Sequence, residues 1–161
     1  MDALCDHYDR NPSNIALIRN YDMPLNKQFT LAPIYDNGTS LCMSLPIEVA
    51  KMYLEMDNGI EVLDSNIISK IGFFDHRGTS YDKLLEYIFK HYFNDTVDVV
   101  YNINRYIDEI SLTSIFFSSD YKQLDKYHKK LAFIKVMYNK YKILGLYKKY
   151  EFNENEKIKQ L

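Results

Sequence analysis

Three oxygen-bearing side chains in the N-terminal part of the chain are of the right types for chemistry: Asp9, Asn14 and Asp36. Asp9 and Asn14 stand five apart in Asp9-Arg10-Asn11-Pro12-Ser13-Asn14, directly before a short apolar run. Asp36 opens Asp36-Asn37-Gly38, directly after a second one. A carboxylate and a carboxamide are hard oxygen donors, of the kind Mg2+ takes while keeping waters and substrate phosphates as its other ligands. A second carboxylate facing a nucleophile completes a minimal set for phosphoryl transfer, where catalysis is mostly positioning and charge stabilisation. Gly38 permits a tight turn after Asp36. Singly, each piece is ordinary, since Asp-Asn-Gly is a common turn. The order loop, strand, connection, strand, loop, with Asp, Asn and Asp at its corners, is what points to chemistry.

The elements that must position these residues are short. Ile15-Ala16-Leu17-Ile18 and Phe29-Thr30-Leu31-Ala32-Pro33-Ile34-Tyr35 read as two strands joined through Asn20 to Gln28, a connection rich in turn-forming residues. Antiparallel pairing would bring the loop before the first strand beside the loop after the second. Pro33 has no amide to donate, so the second strand is an edge or ends near it. A two-stranded hairpin is marginal alone and is expected to pack on helices.

The rest of the chain has helical periodicity. Pro46 can open a helix with Ile47, Ala50, Lys51 and Leu54 at helical spacing, stopped at Asn58-Gly59. Residues 60–79 read as irregular, with Gly72, Gly78 and Asp75-His76-Arg77 in a loop. Three long helices follow. Ser80 caps the first, with Leu84, Leu85, Ile88, Phe89 and Tyr92 on one face. Asn94-Asp95 breaks it and Thr96 caps the second, whose stripe is Val99, Val100, Ile103, Tyr106, Ile107 and Ile110. Ser118-Ser119-Asp120 caps the third, in which Leu124, Tyr127, Leu131, Ile134, Tyr138 and Tyr141 recur until Gly145. The lysines of this last helix are expected opposite its apolar stripe, on a solvated face. The expected division of residues 1–161 is 1–45 for the loops and hairpin, 46–147 for a helical subdomain and 148–161 for a charged, fraying tail.

Composition bounds the classes. A chain of 161 residues and 19.1 kDa, 47% hydrophobic and 26% charged, is one globular domain and not a disordered or collagen-like protein. A net charge of -2 argues against binding nucleic acid by bulk charge. No apolar run approaches the roughly 20 residues of a membrane helix, so no membrane partner is expected. Met1 to Arg10 is polar and acidic, unlike a signal peptide. Cys5 and Cys42 make no disulfide framework and are expected as free thiols in the cytoplasm. No His/Cys cluster has zinc spacing. His76 reads as a solvated loop residue, and His91 and His128 as packing or surface residues of helices.

His7-Tyr8-Asp9-Arg10-Asn11-Pro12-Ser13-Asn14-Ile15-Ala16-Leu17-Ile18-Arg19-Asn20 resembles the catalytic loop of HipA-like serine/threonine kinases. Leu31-Ala32-Pro33-Ile34-Tyr35-Asp36-Asn37-Gly38-Thr39-Ser40-Leu41 is similar to the same family's metal-binding segment, which replaces the Asp-Phe-Gly of typical kinases. The resemblance implies an α+β, mainly α-helical fold: a protein-kinase-like C-lobe whose small β-hairpin carries the catalytic and metal-binding loops. It implies that Asp9 orients or deprotonates the acceptor hydroxyl. It also implies that Asn14 and Asp36 hold Mg2+ and, through it, the phosphates of ATP. The γ-phosphate would pass to a serine or threonine of a protein substrate. HipA-like kinases commonly work beside an antitoxin partner, which implies a toxin-antitoxin setting. His7 would be the scaffold residue before the catalytic Asp, or equally a surface histidine. The family usually has His where this chain has Asn11.

A kinase also needs a Gly-rich cover and a Lys, and both precede this loop in the chain. Eight residues precede Asp9, and nothing after residue 45 offers a Gly-rich phosphate loop. The expectation is a C-lobe inactive by itself and completed by an N-lobe, from another chain or encoded upstream. Two alternatives stay open: a non-catalytic helical module that binds a protein partner, and a truncated kinase fragment.

Overall fold

One long helix organises the molecule. The computed structural model describes residues 2–7, 16–31, 40–70, 78–118 and 124–159. In chain order the elements are α1 (Asp2–Cys5), β1 (Leu17–Arg19), β2 (Phe29–Leu31), a 3-10 turn at Ser40–Cys42, α2 (Ile47–Glu55), α3 (Gly59–Ser65), α4 (Tyr81–His91), α5 (Phe93–Tyr106), α6 (Glu109–Phe117) and α7 (Lys126–Lys159). Each of α1 to α6 packs against α7. The fold is mainly α-helical with one small antiparallel sheet, as expected.

A helix with neighbours on several sides needs apolar residues on more than one stripe. Leu131 joins Cys42, Ala50 and Leu63 in one core cluster. Val136, Met137 and Ile143 join Leu4, Phe89, Val100 and Leu112 in another. The expected solvated lysine face is corrected in part: Lys126, Lys130, Lys148 and Lys149 are exposed, but Lys135 and Lys140 are buried with these residues, while Tyr141 of the expected stripe is exposed. Lys140 Nζ donates to the carbonyls of Asn104 (3.2 Å) and Ile107 (2.5 Å). A cation there satisfies the free carbonyls at the C-terminus of α5 and opposes its dipole.

Several boundaries move for local reasons. Gly145 lies inside α7, which runs on to Lys159. The aromatics beyond Gly145 hold it: Tyr147 stacks on Phe93 at 4.9 Å and meets Phe89 edge-on, and Tyr150 also reaches Phe89. Ser80 caps α4 as expected, accepting from the Lys83 amide. The α4–α5 break falls at Tyr92, so Asn94-Asp95 lie in the first turn of α5. Thr96 is no cap; its hydroxyl donates to the Phe93 carbonyl. The second stripe is split because Asp108 starts α6, accepting from both the amide and the hydroxyl of Ser111. Ile110 is left exposed.

Asn58-Gly59 begins a helix rather than stopping one, so residues 60–79 are not simply irregular. A Cβ at Gly59 would lie 1.9 Å from the Tyr53 carbonyl oxygen, an approach only glycine allows. Ser69 and Thr79 form an isolated antiparallel bridge. Asp75-His76-Arg77 and Ser119-Asp120 lie outside the described residues. The N-terminus of α7 is capped instead by Asp125, whose Oδ1 accepts from the amides of Tyr127 and His128.

The hairpin pairs Leu17 with Leu31, Ile18 with Thr30 and Arg19 with Phe29. Three of its described side chains face outward: Leu17, Ile18 and Phe29 are each more than half exposed. The expected packing of these side chains on the helices is not found. Local contacts hold the shape. The Arg19 guanidinium lies over the rings of Tyr21 (4.4 Å) and Phe29 (5.4 Å) and donates to Gln28. Gln28 in turn donates to the Met23 carbonyl and accepts, at its own carbonyl, from the Asn20 amide.

Candidate functional site

Asp9, Asn14 and Asp36 lie outside the described residues, in segments 8–15 and 32–39. Their four anchors are described. The register sets Leu17 opposite Leu31, so both segments meet the hairpin at the same end. At their other ends, His7 follows α1 and Ser40 opens the 3-10 turn. α1 and that turn touch each other, and both pack on α7. The two segments thus share neighbouring anchors at both ends, which is the topology that convergence of the three side chains requires.

The first anchor is a helix end. α1 closes with the His7 amide donating to the Asp2 carbonyl at 3.1 Å, the long bond of a Schellman motif. The motif needs a left-handed residue, usually glycine. Here it is Asp6, at φ 51°. Its carboxylate is buried and engaged by α7: Oδ1 accepts from Asn139 Nδ2 at 2.9 Å, and Oδ2 faces Lys135 Nζ at 3.2 Å as an ion pair. Asn139 Nδ2 also donates to the Leu4 carbonyl, while its Oδ1 accepts from Lys135. From α4, the Tyr81 hydroxyl donates to the His7 carbonyl at 2.7 Å. His7 is buried, so it is not a surface histidine.

The charges continue outward. Lys135 Nζ reaches Asp64 Oδ1 at 2.5 Å, and Lys142 Nζ bridges Asp64 Oδ2 (2.5 Å) to Asp82 Oδ1 (2.7 Å). Burial pushes the Asp6 carboxyl up, against the lowering pull of Lys135 and Asn139. Burial also opposes the charge on Asp64, but the hydrogen bonds from Lys135 and Lys142 outweigh it and hold that carboxyl below the usual range. Lys142 is raised because its bonds to Asp64 and Asp82 overcome its own desolvation.

The second anchor is also strained. Leu41 (φ 55°) and Cys42 (φ 62°) are left-handed, where a side chain costs roughly 1–2 kcal/mol per residue. Together with Asp6 these are the non-glycine residues of positive φ among the described residues, so the strain sits at the anchors. Leu45 follows, and its carbonyl faces His128 Nε2 at 2.8 Å, while His128 Nδ1 meets Asp125 Oδ2. Both partners are acceptors, an arrangement that favours a proton on each ring nitrogen. Burial opposes that charge, but the bonds to Asp125 and Leu45 raise the His128 pKa. Burial pushes the Cys42 thiol up to about 12, and raises Cys5 as well, so neither is an activated nucleophile. A cavity of about 330 Å3 opens beside both anchors, lined in part by Asp6, Cys42, Leu45, Tyr53 and Leu63.

Asp6, Asp64, Lys135 and Asn139 escape a reading by motif. The available signal was Lys135 inside the apolar run from Leu131 to Tyr138, with Asn139 four residues after it. Polar side chains so placed on one helix face are hydrogen-bonded when buried.

These elements define a kinase-like fold, for the described chain matches part of a solved kinase. That structure is the crystal structure of a Helicobacter pylori proinflammatory kinase, CtkA, with a TM-score of 0.70 and 21% sequence identity. The match covers 91% of this chain and 47% of that one, so this chain spans about half the length of the kinase it resembles. No protein-family model and no curated protein matches the sequence. No described helix is long and apolar enough to cross a membrane.

Proposed function

We propose that this chain is the catalytic-loop half of an ATP-dependent protein serine/threonine kinase of the HipA-like kind. The observation that carries the reading is the shared anchoring of segments 8–15 and 32–39 within a kinase-like fold. Asn14 and Asp36 supply a carboxamide and a carboxylate, oxygen donors whose chemistry fits Mg2+. Bound there, the metal would neutralise charge on the ATP phosphates. Asp9 accepts the proton of the acceptor hydroxyl. The new bond joins the acceptor oxygen to the γ-phosphorus, the bond from that phosphorus to the bridging oxygen breaks, and ADP leaves. The Gly-rich cover and phosphate-binding Lys come from an N-lobe, and the acceptor is a serine or threonine of another protein. An antitoxin-like protein is the proposed regulatory partner and the cytoplasm the proposed compartment.

The test is nucleotide binding by the chain in the complex its native cell makes. ATP binding that requires Mg2+ and is lost in Asp36→Ala supports the reading. Equal binding in Asp36→Ala, or none in the wild type, overturns it.

A further inference from the structure

The buried group around Asp6 is built around a residue that the backbone alone would not choose. Asp6 occupies the left-handed C′ position of α1, where glycine is unstrained and strongly preferred. Its carboxylate is then drawn into the core, where burial disfavours its charge. The bonds to Lys135 and Asn139 offset these costs, and through them the carboxylate gives α7 a handle on the chain. Lys135 is fully buried and divides its ammonium among Asp6, Asp64 and Asn139. Asn139 spends both amide protons on Leu4 and Asp6. Tyr81 of α4 holds the His7 carbonyl. The last described residues before segment 8–15 are therefore fixed by side chains of two helices that are distant in sequence.

We infer that Asp6, Lys135 and Asn139 form a clamp whose task is to position segment 8–15, and with it Asp9 and Asn14. They are positioning residues for phosphoryl transfer and touch none of the reacting atoms. The inference rests on the proposed role of Asp9 for its functional meaning, but the clamp itself is testable without that role.

The informative variant is Asp6→Gly. It relieves the left-handed strain and leaves Lys135 paired with Asp64, so the fold is kept while the handle is removed. Lys135→Met removes the hub. Lys140→Met is the control: it also deletes a buried lysine of α7, but one that holds the end of α5. Amide hydrogen exchange of the full chain is followed in peptides spanning residues 7–16. The clamp predicts exchange there rising about 10-fold or more in Asp6→Gly and Lys135→Met and unchanged in Lys140→Met. In the native complex, kcat falls about 100-fold in Asp6→Gly with KM for ATP little changed, as expected when a catalytic group is misplaced by about 1 Å. Unchanged exchange at residues 7–16 in Asp6→Gly, or an equal rise in Lys140→Met, overturns the clamp. A wild-type complex that transfers no phosphate, with the exchange pattern as predicted, overturns the kinase reading and supports the clamp.

Discussion

Phe29 and Leu131 are both large apolar residues, yet Phe29 is 54% exposed on the hairpin and Leu131 is completely buried on α7. The contrast extends to polar groups. Arg19 of the hairpin lies on exposed rings and pairs with a residue nine positions away, while Lys135 ties residues of α1, α3 and α7 together inside the core. The hairpin is held by neighbours in sequence, and the helical body by contacts across the whole chain. The segments carrying Asp9, Asn14 and Asp36 run from one to the other. The difference teaches a division of labour: the body fixes one end of each segment rigidly, and the hairpin joins the other ends in register.

Mutations should separate the two regions, and the largest effect belongs to the body. Lys135→Met strips Asp6 of its cation in a buried site and should cost about 3–5 kcal/mol of unfolding free energy, read from denaturant midpoints. Leu131→Ala empties a packed position on the same helix and should cost about 2–5 kcal/mol. Asp125→Ala removes the α7 cap and the acidic partner of His128, and should cost about 1–2 kcal/mol. Phe29→Ala on the hairpin should stay within about 0.5 kcal/mol, as exposed positions do. A loss at Phe29 as large as that at Leu131 would erase the contrast.

A pH series sharpens the comparison further. The folded pKa of His128 lies above its ordinary value of 6.5, so its stabilising contribution is complete below that value and is lost as pH rises through the folded pKa. His128→Gln should abolish that slope above pH 6.5. Asp64 behaves oppositely. Its pKa is lowered, so its contribution is complete above 3.8 and is lost as acid takes the pH down through the folded value.

The helical architecture was legible where one face of a helix meets the core. Ser80 and the α4 face through Phe89 read correctly because a cap and a stripe are local patterns, while Tyr92 lies past the helix end and is exposed. α7 resisted that logic because it has neighbours on several sides: its buried lysines look like a solvated face until the six helices packed on it are known. Its length was hidden at Gly145, since the stacking of Tyr147 on Phe93 outweighs the small helix penalty of one glycine. Gly59 was misread for a related reason: the close approach to Tyr53 is a tertiary contact that no spacing reveals. The hairpin was legible in position and pairing, but not in its outward-facing side chains. Of the site, Asp9, Asn14 and Asp36 were picked from residue type and order, and the described structure speaks to their anchors. The clamp behind them was not picked, because Asp6 and Lys135 stand 129 positions apart in the chain.

The central claim is that the two anchored segments make one phosphoryl-transfer centre. The most direct measurement is transfer of γ-labelled phosphate from ATP to protein by the complex isolated from its native cell, comparing wild type with Asp9→Asn. The account predicts Mg2+-dependent label on serine or threonine in the wild type, reduced about 100-fold or more in Asp9→Asn, on the scale of losing a general base. Equal labelling by the two proteins, or no labelling by the wild-type complex, would contradict it.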